Sequence, residues 1–113
     1  MDERLTRGER ITRQSEIDAC YRSGRRLMGK LLRLHVRANG MEVARLAISI
    51  PGRVVRKAVD RSRWKRLLRE AFRRSKEAIG PGLDIVAVPS RPPRELSRQD
   101  VEEAMLALLS KRR

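Results

Sequence analysis

The sequence predicts an α+β fold: a small mixed sheet of three to four strands, with helices packed on it, in a single domain. Three observations carry this. The periodic segments follow the order α, β, β, α, β, α, with a further short strand near Leu27. At 113 residues the chain has the length of one domain, not two. With 40 % hydrophobic residues it can bury one modest core despite its charge.

Residues 1–14 are polar and basic, lack apolar periodicity, and read as a flexible basic arm of a domain spanning 1–113. Ser15 can cap a short helix with Asp18 three residues later; Ile17, Cys20 and Tyr21 fall at i, i+3 and i+4, and Gly24 ends it. Two β-rich runs follow, Leu31 to Val36 and Val43 to Ile50. Asn39-Gly40 lies between them, so the pattern predicts an antiparallel hairpin. Alternation places Leu34 and Val36 on one face and Arg33, His35 and Arg37 on the other. Pro51-Gly52 breaks the second strand.

A helix is predicted from about 58 to 79. At about 100° per residue, Trp64, Leu67, Leu68, Ala71 and Phe72 fall within an arc of about 140°, wide enough to face a core. Gly80-Pro81-Gly82 stops it. Leu83 to Val88 is a nearly continuous apolar run, which suggests a strand covered on both faces. A proline-rich basic loop spans 89–94, and Ser97 with Asp100 caps a last helix lined by Val101, Ala104, Met105, Leu108 and Leu109. The chain ends on Lys111-Arg112-Arg113.

Composition narrows the function. There are 28 Lys and Arg against 14 Asp and Glu, a net charge of +14, and the usual reason for such a surplus is a polyanionic partner. Nucleic acid comes first and an anionic membrane surface second. One cysteine, Cys20, permits no intramolecular disulfide and no cysteine zinc site. One histidine, His35, argues against histidine metal sites and histidine-based catalysis. No apolar run approaches the roughly 18 residues that span a bilayer, and the first residues do not resemble a signal peptide. A cytoplasmic protein is expected.

Half of the net charge sits in one segment. Residues 56–74 hold nine basic and two acidic side chains, a net +7. Arg61, Lys65, Arg69 and Arg73 recur at i, i+4 and form a ridge that rises about 6 Å per step, close to the phosphate spacing of one strand. Arg63, Arg66 and Arg74 widen the patch. Arginine dominates, and its planar fork suits phosphate. A solvated helix face would mix signs; this one has only Asp60 and Glu70. Ser62 is nearly the only side chain here that could read a base edge, so recognition of backbone and shape is indicated, which fits structured RNA better than the DNA major groove.

The run Lys57-Ala58-Val59-Asp60-Arg61-Ser62-Arg63-Trp64-Lys65-Arg66-Leu67-Leu68-Arg69-Glu70-Ala71-Phe72-Arg73 resembles the signature of the protein subunit of bacterial ribonuclease P. Ile17 to Gly24 is similar to that family's first helix, Arg45 to Ile50 to the strand before the signature loop, and Gly82-Leu83-Asp84-Ile85-Val86 to its Gly-x-Asp-Ile-Val strand. Ser62 stands where the family usually has Asn, Trp64 where it has an aliphatic residue, and Val55-Arg56 replaces a glycine.

The resemblance implies an αβββαβα order with a left-handed βαβ crossover, similar to the second domain of a small-subunit ribosomal protein. It implies a protein that assists a catalytic RNA, which uses Mg²⁺ to hydrolyse one phosphodiester of precursor tRNA and release the 5′ leader. Its partners would be the ribonuclease P RNA subunit and precursor tRNA, with no membrane and no small-molecule cofactor. The protein itself would hold no metal and no catalytic residue. Carried over by position, contact with the RNA subunit falls to Arg61, Ser62, Arg63, Lys65, Arg66, Arg69 and Arg73, and contact with the leader to Ile17, Tyr21, His35 and Ser49. Read from the residues alone, Ile17 also fits a core position, Tyr21 fits either role, and His35 fits a solvated one. The rival reading is a small ribosomal or other structural RNA-binding protein with no part in cleavage. A DNA-binding regulator and a free-standing nuclease fit the composition less well.

Overall fold

A computed structural model describes residues 5–112. Its elements are α1 (Gln14–Ser23), β1 (Arg25–Met28), β2 (Leu32–Ala38), β3 (Arg45–Ile48), α2 (Ala58–Arg74), α3 (Lys76–Ile79), β4 (Leu83–Pro89) and α4 (Arg98–Leu109). The four strands form one mixed sheet in the order β1-β2-β4-β3. β4 runs antiparallel to β2 and parallel to β3, so β3, α2 and β4 make a βαβ unit with adjacent strands.

Strand alternation splits the molecule into three layers. Leu27, Leu34, Val36, Leu46, Ile85 and Ala87 face one way, into the main core against α2 and α4. Trp64, Leu68, Ala71 and Phe72 of α2 and Val101 and Met105 of α4 are fully buried there. Each large side chain removed from water contributes about 1.5–3 kcal/mol. On the other sheet face a smaller cluster joins Ile11, Cys20, Val86 and Val88, with Ile17 and Ala47 packed against it, beneath α1.

The α+β class, the short strand at Leu27, the buried stripe of α2 and the two-sided burial of β4 follow the sequence reading. The predicted hairpin does not. β2 and β3 are not paired with each other; β4 lies between them. The cause is a polar lock. Buried Asp84 accepts from Arg45 Nε (2.8 Å) and Nη2 (2.7 Å) and from Asn39 Nδ2 (2.9 Å). The backbone agrees, since Asn39 N–H donates to the Gly82 carbonyl and Gly82 N–H to that of Val43. The ends of both runs thus find partners on β4 instead of on each other. Arg45 also reaches Glu16 on α1 at 2.8 Å, and these two carboxylates hold its guanidinium charged well above the ordinary range.

Three boundaries differ from expectation. Arg13, not Ser15, is the N-cap of α1, and no side chain caps it. The helix predicted over 58–79 breaks at Ser75, whose φ −105°, ψ 8° separates α2 from α3. The arm expected over 1–14 is, from residue 5, packed against the sheet edge: Leu5 and Ile11 are buried, and Ile11 N–H donates to the Leu46 carbonyl at 3.1 Å. Residues 1–4 of that arm, and Arg113, lie outside the described residues. Gly24 closes α1 as expected, and a Cβ there would lie 2.2 Å from the Cys20 carbonyl oxygen.

Candidate nucleic-acid interface

The amphipathic pattern of α2 fixes where its charges go. Its apolar stripe is clamped in the core, so the basic residues are turned outward in a constant register. Ser62, Lys65, Arg66 and Arg69 are exposed, and the last three have no side-chain partner among the described residues. The others are partly engaged. Arg61 Nη1 donates to the carbonyls of Val55 (3.2 Å) and Arg56 (2.6 Å), fastening the 51–57 loop to the helix. Arg63 Nη2 donates to the Leu96 carbonyl (2.6 Å) and Trp64 Nε1 to that of Arg91 (2.7 Å), which pins the proline-rich loop alongside. Arg73 pairs with Glu70 at 2.7 Å, and the bond to Arg73 holds the Glu70 carboxyl below its usual range.

The second set of predicted residues shares the opposite sheet face. By register Arg26, His35, Val86 and Ala47 form one row, and Met28, Arg33 and Val88 the next. Ser49 continues β3 beside that row, its N–H donating to the Ala87 carbonyl. Ile17 and Tyr21, one helical turn apart, overhang it from α1. Ile17 is half-buried in the Cys20–Val86 cluster, so it is both packing and wall. Tyr21 is 39 % exposed and its ring centroid lies 4.5 Å from that of His35.

His35 is not solvated. It is only 7 % exposed, covered by Tyr21, and its Nε2 accepts from Arg33 Nε at 3.1 Å. Burial, then the charges of Arg33 and Arg26, lower its pKa below the ordinary value. A neutral ring therefore backs Tyr21, with Arg33 and Arg26 as flanking cations. Arg33 was legible as belonging to this face from the alternation of β2, but not as a partner of the histidine. Arg10, from the supposed arm, borders both surfaces and carried no sequence signal beyond its charge.

One sheet face thus carries a groove of mixed basic and apolar side chains, and the helix crossing the other carries an outward basic ridge in which Lys65, Arg66 and Arg69 are unpartnered among the described residues. The match to known proteins decides the family. Residues 5–113 match the Ribonuclease P family model.

The chain belongs to the ribonuclease P protein family.

The ribonuclease P protein component of Thermotoga maritima is 35 % identical over 115 residues, covering 98 % of this chain and 97 % of that protein. That of Xylella fastidiosa is 37 % identical, covering 94 % and 77 %. The solved structure of the T. maritima ribonuclease P protein superposes with a TM-score of 0.81 at 30 % identity, over 93 % of this chain and 98 % of that one. A mutant Staphylococcus aureus ribonuclease P protein shares the fold at 21 % identity, with a TM-score of 0.80 over 92 % and 87 %. The chain is thus a ribonuclease P protein component, an RNA-binding accessory subunit in tRNA 5′ processing.

Proposed function

We propose that this subunit works in the cytoplasm beside a ribonuclease P RNA that performs the hydrolysis, and that its two surfaces divide the labour. The ridge of α2, with Arg61, Ser62, Arg63, Lys65, Arg66, Arg69 and Arg73, docks on the RNA subunit. The sheet face, with Ile17, Tyr21, His35 and Ser49, receives the single-stranded 5′ leader of precursor tRNA, Tyr21 offering a stacking plane and Arg33 and Arg26 a charge. The observation that carries this is the placement of exposed Lys65, Arg66 and Arg69 on one outward helix face, apart from a groove on the other sheet face where Tyr21 covers His35 beside Arg33 and Arg26.

Among the described residues no group of three His, Cys, Asp or Glu is placed to hold a metal ion. In this reading the RNA and the substrate phosphates hold the Mg²⁺ of the reaction. Among the described residues no helix is long and apolar enough to cross a membrane.

The test is reconstitution. The protein alone is expected to cleave no precursor tRNA, and at low Mg²⁺ to restore 5′ processing by a bacterial ribonuclease P RNA. Failure to stimulate that RNA across salt and Mg²⁺ conditions would leave the rival reading, a structural RNA-binding protein, in its place.

A further inference from the structure

We propose that the cleft between the N-terminal segment, β3 and α2 is a nucleotide notch, in which Arg10, Lys65 and Arg69 clamp a backbone phosphate of the single-stranded leader. The proposal rests on the leader reading above and adds to it Arg10, on a segment that reading leaves idle, together with a leader contact for Lys65 and Arg69 at the edge of the helix ridge.

The cleft measures about 230 Å³. Arg10 borders it from the N-terminal segment and Lys65 and Arg69 from α2, while Ile17, Ala47 and Ile48 supply apolar walls. Ala47 and Ile48 point to opposite faces of the sheet, so the cleft wraps around the β3 edge from one face toward the other. It therefore joins the two surfaces already described. Ile17 belongs to the sheet-face groove and Lys65 and Arg69 to the helix ridge.

The chemistry of the lining selects the ligand. All three charged side chains are cationic and no carboxylate lines the cleft among the described residues. By contrast, the cleft bordered by Glu9, Glu42, Lys76 and Glu77 mixes signs. Three cations against low-dielectric walls focus a positive potential that an open surface would dissipate. An anion beside an apolar, roughly flat group answers both parts of the lining, which describes a nucleotide. The strand must be single, because a paired base cannot turn into a cleft while its phosphate stays at the rim.

Arg10 is preorganised for this. One of its N–H groups, on Nη2, donates to the Leu5 carbonyl at 3.1 Å, and its backbone bridges Leu46, so the guanidinium is held at the rim with donors to spare. Lys65 and Arg69 have no side-chain partner among the described residues and are free to close on the same phosphate.

The experiment uses the ribonucleoprotein reconstituted with a bacterial ribonuclease P RNA. It measures equilibrium affinity for precursor tRNA bearing a leader, for mature tRNA, and of the protein for the RNA subunit. Arg10→Ala is expected to weaken the leader-bearing substrate about tenfold, the scale of one charged hydrogen bond, and to leave the other two affinities within about twofold. Arg10→Lys keeps the charge and is expected to recover most of the loss. Equal losses for all three ligands, or no loss, overturn the notch. Tyr21→Ala separates the two readings. A selective leader defect in Tyr21→Ala without one in Arg10→Ala sinks the notch and spares the groove; no defect in either sinks both. A second measurement does not depend on removing Arg10. Thr12 is exposed at the rim and Cys20 is fully buried, so a photo-crosslinker on Thr12→Cys labels one site. Cross-links to the leader are expected, and cross-links to the RNA subunit alone overturn the proposal.

Discussion

At the scale of single residues, His35 joins stability to pH. Its pKa in the folded chain lies below the ordinary value near 6.5, because burial and the charges of Arg33 and Arg26 disfavour the imidazolium. The unfolded chain thus takes up the proton more readily, and protonation favours unfolding. The full contribution of His35 to stability is present above about pH 6.5 and is lost as the pH falls through and below that value. Melting temperatures measured from pH 7.5 to 5 are expected to fall in the native chain and to fall less in His35→Gln. Equal slopes in the two proteins would show that Arg33 and Tyr21 do not hold the ring neutral. Glu9 and Glu70, whose carboxyls are lowered from 4.5, act in the same direction but in a more acid window. For Glu9 burial is the largest influence and opposes the shift, which the bond to Lys76 and those to Thr6 outweigh.

At the scale of elements, the arginines of α2 are not equivalent, though the sequence presents them as one ridge. Arg66 is exposed and unpartnered among the described residues, whereas Arg61 holds two carbonyls of the loop before the helix. Arg66→Ala is expected to weaken RNA-subunit binding and to shallow the dependence of log K on log salt by about one phosphate contact. Its urea midpoint should not move. Arg61→Ala should show the weaker binding together with a stability loss of about 1–2 kcal/mol, from the two freed carbonyls. Salt titrations and urea melts of both variants check this; an unchanged slope in Arg66→Ala would take the ridge out of the interface.

Elements also show how far the sequence could be read. The stripe of α2 and the Ser97–Asp100 capping box were legible because each is set by neighbours within a turn or two. In the capping box Ser97 Oγ accepts from the Asp100 N–H at 3.1 Å. The hairpin misled because Asn39-Gly40 is a local signal, while strand pairing was decided by Asp84, forty-five residues from Asn39. Leu5 and Ile11 were missed because a segment joined to the sheet by one bridge has neither helical nor strand periodicity. Of the groove, alternation gave the face of His35 but not its burial, which depends on Tyr21 crossing from another element.

At the scale of the whole molecule, a net +14 is carried on a body with a radius of gyration of 13.0 Å. Such crowding of like charge opposes compaction, and anions that bind the folded surface relieve it. Sulfate is therefore expected to raise the melting temperature, with circular dichroism as the readout and chloride at matched ionic strength as the control. If the two salts act alike, general screening accounts for the effect and no anion site need be invoked.

The central position of β4 bears on how the molecule comes into being. β4 is the last strand to leave the ribosome, yet it sits between two that precede it. A nascent chain that has emerged only to Gly80 holds β2 and β3 with no partner between them, and its arginine-rich helix still lacks the cover of β4 and α4 over its apolar stripe. It is then a polycation with sticky strand edges, synthesised on a particle made largely of RNA. Emergence of residues 83–89 closes the sheet on both sides at once and brings the two RNA-binding faces into register, and α4 then covers what remains open of the α2 stripe.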